Sequence, residues 1–383
     1  TLLLILVILG IAQSAVVKQN VQKTASIRAQ LIKEGTYSDY LAAQLLARGQ
    51  GNVVAQPFVD SLNDIYRAEV YIGTPPQNFT VQLDTASADL WVVDSRCSQH
   101  CPQVSGYDQR RFDESASSTF SLSQWPFAVP HVSSGMVGTD VFNVAGLIAP
   151  KQWLGVANNT NSTWAGYAID GVFGLGWPAL SDLDVPPPMQ NLVGQLDEPL
   201  FTIWLDGYVG PAANTLGGVI TYGALDSEHC DAQVNYVPLS ALTYWQFPMT
   251  RFTIRSYSSN AKVDAISDTG TAWIGAPASA VSAIVRATGA TDDPINNLYT
   301  VPCAGDYPDM VFTIGLRDYK VPSSEYVIDL GLGKGQCNLA LFELVGNGFG
   351  PDWIFGDTWI RTYCNVYDIG KKRIGFALAR HTQ

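Results

Sequence analysis

A chain of 383 residues that is 47% hydrophobic and 15% charged has apolar material for two substantial cores and too little charge for a disordered polypeptide. Its formal net charge of −12 argues against nucleic acid and against an anionic membrane surface as partners. The charge is uneven: residues 16–50 carry five basic side chains against two acidic ones, and residues 51–383 carry 17 against 32.

The chain opens on an apolar run, Leu2–Ala12, closed by the small residues Ala12-Gln13-Ser14-Ala15. That pattern reads as a secretory signal, residues 1–14, cut after Ser14 or nearby and too short to span a bilayer. The initiator Met and a basic start are missing, so the sequence begins inside the signal. A basic leader follows over residues 15–50, with a helix signal across Ile27–Leu46. Beyond it, stretches rich in Val, Ile, Thr, Tyr and Phe are broken by 34 Gly and 21 Pro, which favours a mainly β architecture. Further helix signals fall at Met189–Leu196, after three consecutive prolines, and at Pro277–Thr288. No other run is long or apolar enough for a membrane anchor.

Six cysteines fit three disulfides in an oxidising compartment, and spacing alone leaves the pairing open. Cys97 and Cys101 are close enough for a small loop. There is no Cys-x-x-Cys, and the four histidines, His100, His131, His229 and His381, are scattered, so no metal site is expected. Asn78, Asn158 and Asn161 each open a glycosylation sequon. The expected location is secreted or lysosomal, by the secretory route.

One short motif occurs twice, 184 residues apart. Asp84-Thr85-Ala86-Ser87 follows the apolar strand Phe79–Leu83, and Asp268-Thr269-Gly270-Thr271 follows Val263–Ser267. Each is answered by an apolar-apolar-Gly segment, Val172-Phe173-Gly174 and Ile354-Phe355-Gly356. Two such halves can bring Asp84 and Asp268 together on a pseudo-twofold axis. Two carboxyls at hydrogen-bond distance cannot both ionise easily, so one titrates low, the other high, and the pair shares a proton. Such a pair can serve as general base to a water and general acid to a leaving group. A single Asp of this kind also caps its own turn in many loops; the repetition favours the dyad.

These residues resemble the pepsin-like aspartic peptidases, with the nearest likeness to the gut aspartic proteases of nematodes. The likeness runs from about Val17 to Ala379. It includes Ile72-Gly73-Thr74-Pro75-Pro76-Gln77, Asp89-Leu90-Trp91-Val92, Asp170-Gly171-Val172-Phe173-Gly174, Tyr244-Trp245-Gln246 and Phe355-Gly356-Asp357. The resemblance implies an all-β, bilobal acid protease fold with pseudo-twofold related lobes and a cleft between them. Residues 51–215 would form the N-terminal lobe and 216–383 the C-terminal lobe, and 15–50 a propeptide that covers the cleft until acid releases it. It implies disulfides Cys303–Cys337 and, by remainder, Cys230–Cys364. Thr85 and Thr269 would cross-link the two loops, while Ser87 and Thr271 would donate to the outer oxygens of their aspartates. Trp91 would support a mobile hairpin, and Tyr244 would line the far side of the cleft. No cofactor is implied. The partners would be an extended polypeptide substrate and the chain's own propeptide, with the protein a monomer.

Three departures from the family pattern touch the chemistry. Ala86 stands where the family has Gly, which implies a strained, glycine-type backbone. The hairpin tip lacks the family tyrosine: counting back from Gly135 puts Ala128 at its place, and counting forward from Phe120 puts His131 there. Ala272 replaces a serine, with little effect expected. Two functions therefore stand: an endopeptidase that activates water between Asp84 and Asp268, and a weak or inert secreted binding glycoprotein on the same scaffold.

Overall fold

The computed structural model describes residues 15–24, 26–37, 65–101, 107–129, 132–160, 166–207, 215–344 and 350–381. Among these residues the first half shows ten strands: β1 (Val17–Lys23), β2 (Tyr66–Ile72), β3 (Gln77–Asp84), β4 (Leu90–Val93), β5 (Ser121–Val129), β6 (Ser133–Val144), β7 (Leu147–Thr160), β8 (Gly171–Gly174), β9 (Leu200–Leu205) and β10 (Thr215–Tyr222). With β11 (Asn235–Pro238) and the last two strands, Tyr363–Asp368 and Arg373–Leu378, they make one sheet of 13 strands. The boundary expected between residues 215 and 216 falls at the start of β10, inside this shared sheet. A second sheet of nine strands and a third of four come wholly from the second half.

Strands β4, β8 and β9 are buried on both faces. That is why they read as continuous apolar runs without alternation. The pairing around them repeats in the two halves. β3 runs parallel to β8, β8 antiparallel to β4, and β4 parallel to β7. In the second half Val263–Ser267 runs parallel to Trp353–Phe355, which is antiparallel to Ile274–Ala276, which is parallel to Leu341–Glu343. Each motif aspartate thus sits at the end of a strand held from the side by its own answering segment. The answering glycines fit because they are bare: a Cβ on Gly356 would lie 2.1 Å from the Thr271 carbonyl oxygen, and one on Gly174 would lie 2.4 Å from the Asp89 nitrogen.

Helices are few. Ala278–Thr288 lies within the expected span and buries Ala280, Val281, Ala283 and Ile284. It stops at Gly289, whose φ of 69° and N–H to the Val285 carbonyl make a left-handed cap. Pro188–Leu192 forms a short helix that continues as a tighter turn to Gln195. Asp357–Thr362 is a further buried helix that the sequence reading did not anticipate.

The described part of the leader does not simply lie across a cleft. β1 is an internal strand of the shared sheet, antiparallel to both β10 and β2. Lys18 reaches Asp226 at 2.7 Å and Glu228 at 3.1 Å. Helix α1 (Ile27–Lys33) starts at Ser26, whose hydroxyl accepts from the Ala29 N–H; the later part of the expected helical span, residues 38–46, lies outside the described residues. Its Ala29 packs with Ala272 and Trp273, while Leu31 and Ile32 pack near Tyr37, Ile65, Tyr167 and Ile169. The Arg28 guanidinium lies 4.1 Å from the Trp273 ring centre. The helix therefore touches both halves, beside the second motif.

The cysteines pair as Cys97–Cys101, Cys230–Cys364 and Cys303–Cys337, with Cα separations of 5.9, 5.9 and 4.9 Å. Among the described residues no helix is long and apolar enough to cross a membrane.

Candidate active site

The two motif loops face each other and are tied by their threonines. The Thr85 N–H donates to Thr269 Oγ1 at 3.0 Å, and the Thr269 N–H donates to Thr85 Oγ1 at 3.0 Å. Each hydroxyl then donates to the strand end that carries the opposite aspartate: Thr85 Oγ1 to the Ser267 carbonyl and Thr269 Oγ1 to the Leu83 carbonyl, both at 2.9 Å. Both threonines are buried. Four bonds between segments 184 residues apart fix the two carboxyls relative to each other.

The carboxyls are held in matching ways. The Ala86 N–H donates to Asp84 Oδ1 at 2.9 Å, and the Gly270 N–H to Asp268 Oδ1 at 2.7 Å. Thr271 Oγ1 donates to Asp268 Oδ2 at 2.6 Å. Ser87 is not its equal: its hydroxyl helps to stabilise the Asp84 carboxylate but lies outside regular hydrogen-bond geometry. A Cβ on Gly270 would lie 2.8 Å from Asp84 Oδ1 and 3.0 Å from Asp268 Oδ1, so the two inner oxygens border one small space.

That space corrects the expectation for Ala86. Neither Ala86 nor Gly270 takes a positive φ, so the turn imposes no glycine-only backbone. What glycine supplies at this position is room, and Ala86 keeps the N–H bond to its aspartate.

Burial pushes both carboxyls above the usual carboxylate range. The neighbouring charge of Asp84 adds to the effect on Asp268, which is pushed up to about 7. The pair therefore holds a proton well above the pH at which an exposed carboxyl would lose it.

The other expected residues lie in differing settings. Tyr244 lies close enough to feel both Asp268 and Asp84. Trp91 is buried in a cluster with Phe127, Val137, Val172 and Leu183. His131 and Asn161 lie outside the described residues. In the β5–β6 hairpin Val129 pairs with Ser133 and Ala128 with Ser134. Ala128 is exposed, and the buried aromatic of β5 is Phe127. Phe127 fits against bare backbone: a Cβ on Gly155 would lie 2.8 Å from its ring. Sequence reasoning passed it over because its packing partners lie on other strands. Asn158 is exposed on β7, whereas Asn78 is half-buried on β3, its Nδ2 3.2 Å from Glu69 Oε1.

Two further motif acids, Asp89 and Asp170, hold backbone N–H groups. Asp89 accepts from Ser181 Oγ and the Asp182 N–H at 2.6 and 2.7 Å, and Asp170 accepts from the Thr80 and Arg110 N–H groups at 2.7 and 2.9 Å. Two groups of metal-ligand type occur among the described residues. One contains the Cys303–Cys337 disulfide, and in the other Asp226 and Glu228 already hold Lys18.

The family model for eukaryotic aspartyl protease matches residues 65–379. The chain belongs to the eukaryotic aspartyl proteases. Aspartic protease 1 of Caenorhabditis elegans is 49% identical over 388 residues, with 98% of each chain covered. Aspartic protease 17 of the same organism is 43% identical across 100% of this chain and 99% of its own. Human gastricsin is 33% identical, with 99% of each chain covered. The aspartyl protease match begins at Ile65, after the leader strand and helix, while the full-length likenesses take in the leader too.

Proposed function

We propose that this aspartyl protease is an endopeptidase that hydrolyses peptide bonds at acidic pH through a water activated between Asp84 and Asp268. The carrying observation is the pair itself: two carboxyls, Asp268 buried and Asp84 half-buried, with matching N–H donors, locked by four threonine bonds. Asp268 feels the Asp84 charge and keeps the shared proton. Asp84, the first of the pair to ionise, takes a proton from the water as the water attacks the peptide carbonyl. Asp268 gives its proton to the carbonyl oxygen, so a neutral diol forms. As the diol collapses and the C–N bond breaks, Asp84 passes the proton it took from the water to the leaving amine nitrogen, and Asp268 recovers a proton from a diol hydroxyl. No covalent intermediate forms.

The substrate is an extended polypeptide with apolar residues on both sides of the scissile bond. Residues 15–50 act as a propeptide: β1 takes a place in the shared sheet, α1 packs next to Trp273, and the basic leader meets an acidic body. Acid protonates carboxylates that hold the leader and loosens it. The three disulfides and the exposed Asn158 suit a secreted or lysosomal monomer.

One observation favours a second reading. Ala86 places a methyl where its counterpart Gly270 is bare, which suits a binding protein of low or no turnover. The test is acid-incubated recombinant protein on a denatured protein substrate, with and without a statine-type inhibitor, beside Asp268→Asn. Cleavage that the inhibitor and the variant both remove supports the peptidase. No cleavage by the wild type supports the binder, and equal cleavage by Asp268→Asn rejects the dyad.

A further inference from the structure

Beneath the second aspartate lies a polar group of side chains that the mechanism above does not use. Ser267 Oγ lies 2.8 Å from Tyr367 Oη. Asn365 Nδ2 donates to Ser267 Oγ at 2.6 Å and to Tyr367 Oη at 3.4 Å. All three residues are 0% exposed. Their surroundings are aromatic: the Tyr367 ring stacks on Phe201 at 4.6 Å and meets Trp245 edge-on at 5.0 Å. Asn365 Oδ1 finds no hydrogen-bond partner among the described residues. An apolar trio of the same shape would leave nothing unpaired, so stability alone does not account for this choice.

The group leads to both aspartates. The Ser267 carbonyl accepts from Thr85 Oγ1, and Thr85 Oγ1 accepts from the Thr269 N–H. The placement of Ser267 thus sets the strand end that carries Asp268 and the anchor for the loop that carries Asp84. Tyr367 and Asn365 belong to the strand Tyr363–Asp368, which pairs with β9 through Asn365 with Ile203 and Tyr367 with Phe201. The shared sheet, built from both halves, is by this route bonded to the floor of the dyad.

We propose that Tyr367, together with Ser267 and Asn365, positions the two aspartate loops at the separation that lets one proton be shared. The consequence for catalysis rests on the peptidase reading; the effect on proton sharing does not. Two interacting carboxyls titrate in two steps, and the gap between the steps widens as the groups approach. Loosening the floor should therefore narrow the gap. The influences on the pair are burial, their own hydrogen bonds and the charge of Asp84 on Asp268. Among the described residues Tyr244 and Tyr367 interact with the charge of the pair, and burial pushes both phenols up, so they stay neutral while the pair titrates.

The test uses the full chain with carbon-13 in its aspartate carboxyls, and follows the pair by NMR titration in wild type, Tyr367→Phe, Ser267→Ala and the double variant. The expected result is a narrower gap in each single variant, with the double variant no narrower than the singles, because both remove the same contact. If the wild type cleaves peptide, both singles should lose about tenfold in kcat with KM little changed. A narrowed gap in a protein that cleaves nothing keeps this inference and rejects the peptidase reading. An unchanged gap in a folded Tyr367→Phe or Ser267→Ala protein overturns the inference, whatever happens to cleavage. Failure of both variants to fold would assign the group to stability alone and overturn it as well.

Discussion

Replacing Thr269 with Val keeps the shape of the side chain and removes its hydroxyl. That hydroxyl accepts from the Thr85 N–H at 3.0 Å and donates to the Leu83 carbonyl at 2.9 Å, in a site that is 4% exposed. Neither partner has water to turn to, so the variant loses two hydrogen bonds and leaves a buried donor and a buried acceptor unpaired. Each net bond contributes roughly 1 kcal/mol, and an orphaned buried group costs about 1–3 kcal/mol. The expected destabilisation is about 2–4 kcal/mol, well beyond the roughly 0.5 kcal/mol of an ordinary surface change. Thr269→Ser keeps the hydroxyl and should lose much less. Denaturant unfolding of the three proteins, with the slope checked for constancy, measures the difference. A Thr269→Val protein within about 0.5 kcal/mol of wild type would refute the claim that these bonds tie the halves together.

Much of the site was legible because the relevant residues are contiguous. Asp-Thr followed by Ala-Ser or Gly-Thr, set after an apolar strand, carries strand end, cross-link and carboxylate within four residues. The helix over Ala278–Thr288 was legible for a similar reason: its buried positions follow helical spacing and a glycine ends it. The helix Asp357–Thr362 was not, because all six residues are buried and no polar face marks a period. β1 was hidden too. Its sequence, Val17-Lys18-Gln19-Asn20-Val21-Gln22-Lys23, is mostly polar, and it becomes a strand by pairing with β10 about half the chain away. Ala86 shows a different limit. The residue was visible, but whether glycine is used there for its backbone freedom or for its lack of a Cβ depends on what stands opposite. The contact of Ser267 with Tyr367 joins residues 100 apart, and no local pattern announces it.

The space beside Gly270 predicts a reciprocal pair of variants. Gly270→Ala should strongly reduce peptide cleavage near pH 4, since its methyl would meet Asp84 Oδ1 at 2.8 Å, and Ala86→Gly should raise it. Equal rates for all three proteins would mean that the space is not used in turnover. Arg28→Ala removes the guanidinium from above Trp273 and should speed loss of the leader on acidification, as read by mass spectrometry; an unchanged rate would mean that α1 is not a latch. The last prediction concerns stability and pH. Asp268 is pushed up to about 7 in the folded protein, against an ordinary value of about 3.9 in the unfolded chain. Between those values the folded state binds more protons than the unfolded state, so this group makes stability fall as pH rises. Its contribution is fully present below about pH 4 and is lost as pH passes about 7, where a buried carboxyl must ionise beside Asp84. Asp268→Asn, which cannot ionise, should flatten this part of the profile and gain most over wild type at neutral pH. Unfolding midpoints for the two proteins across that range decide the matter: parallel curves would show that Asp268 does not carry the raised proton affinity, and that the acidic optimum expected of the dyad must arise elsewhere.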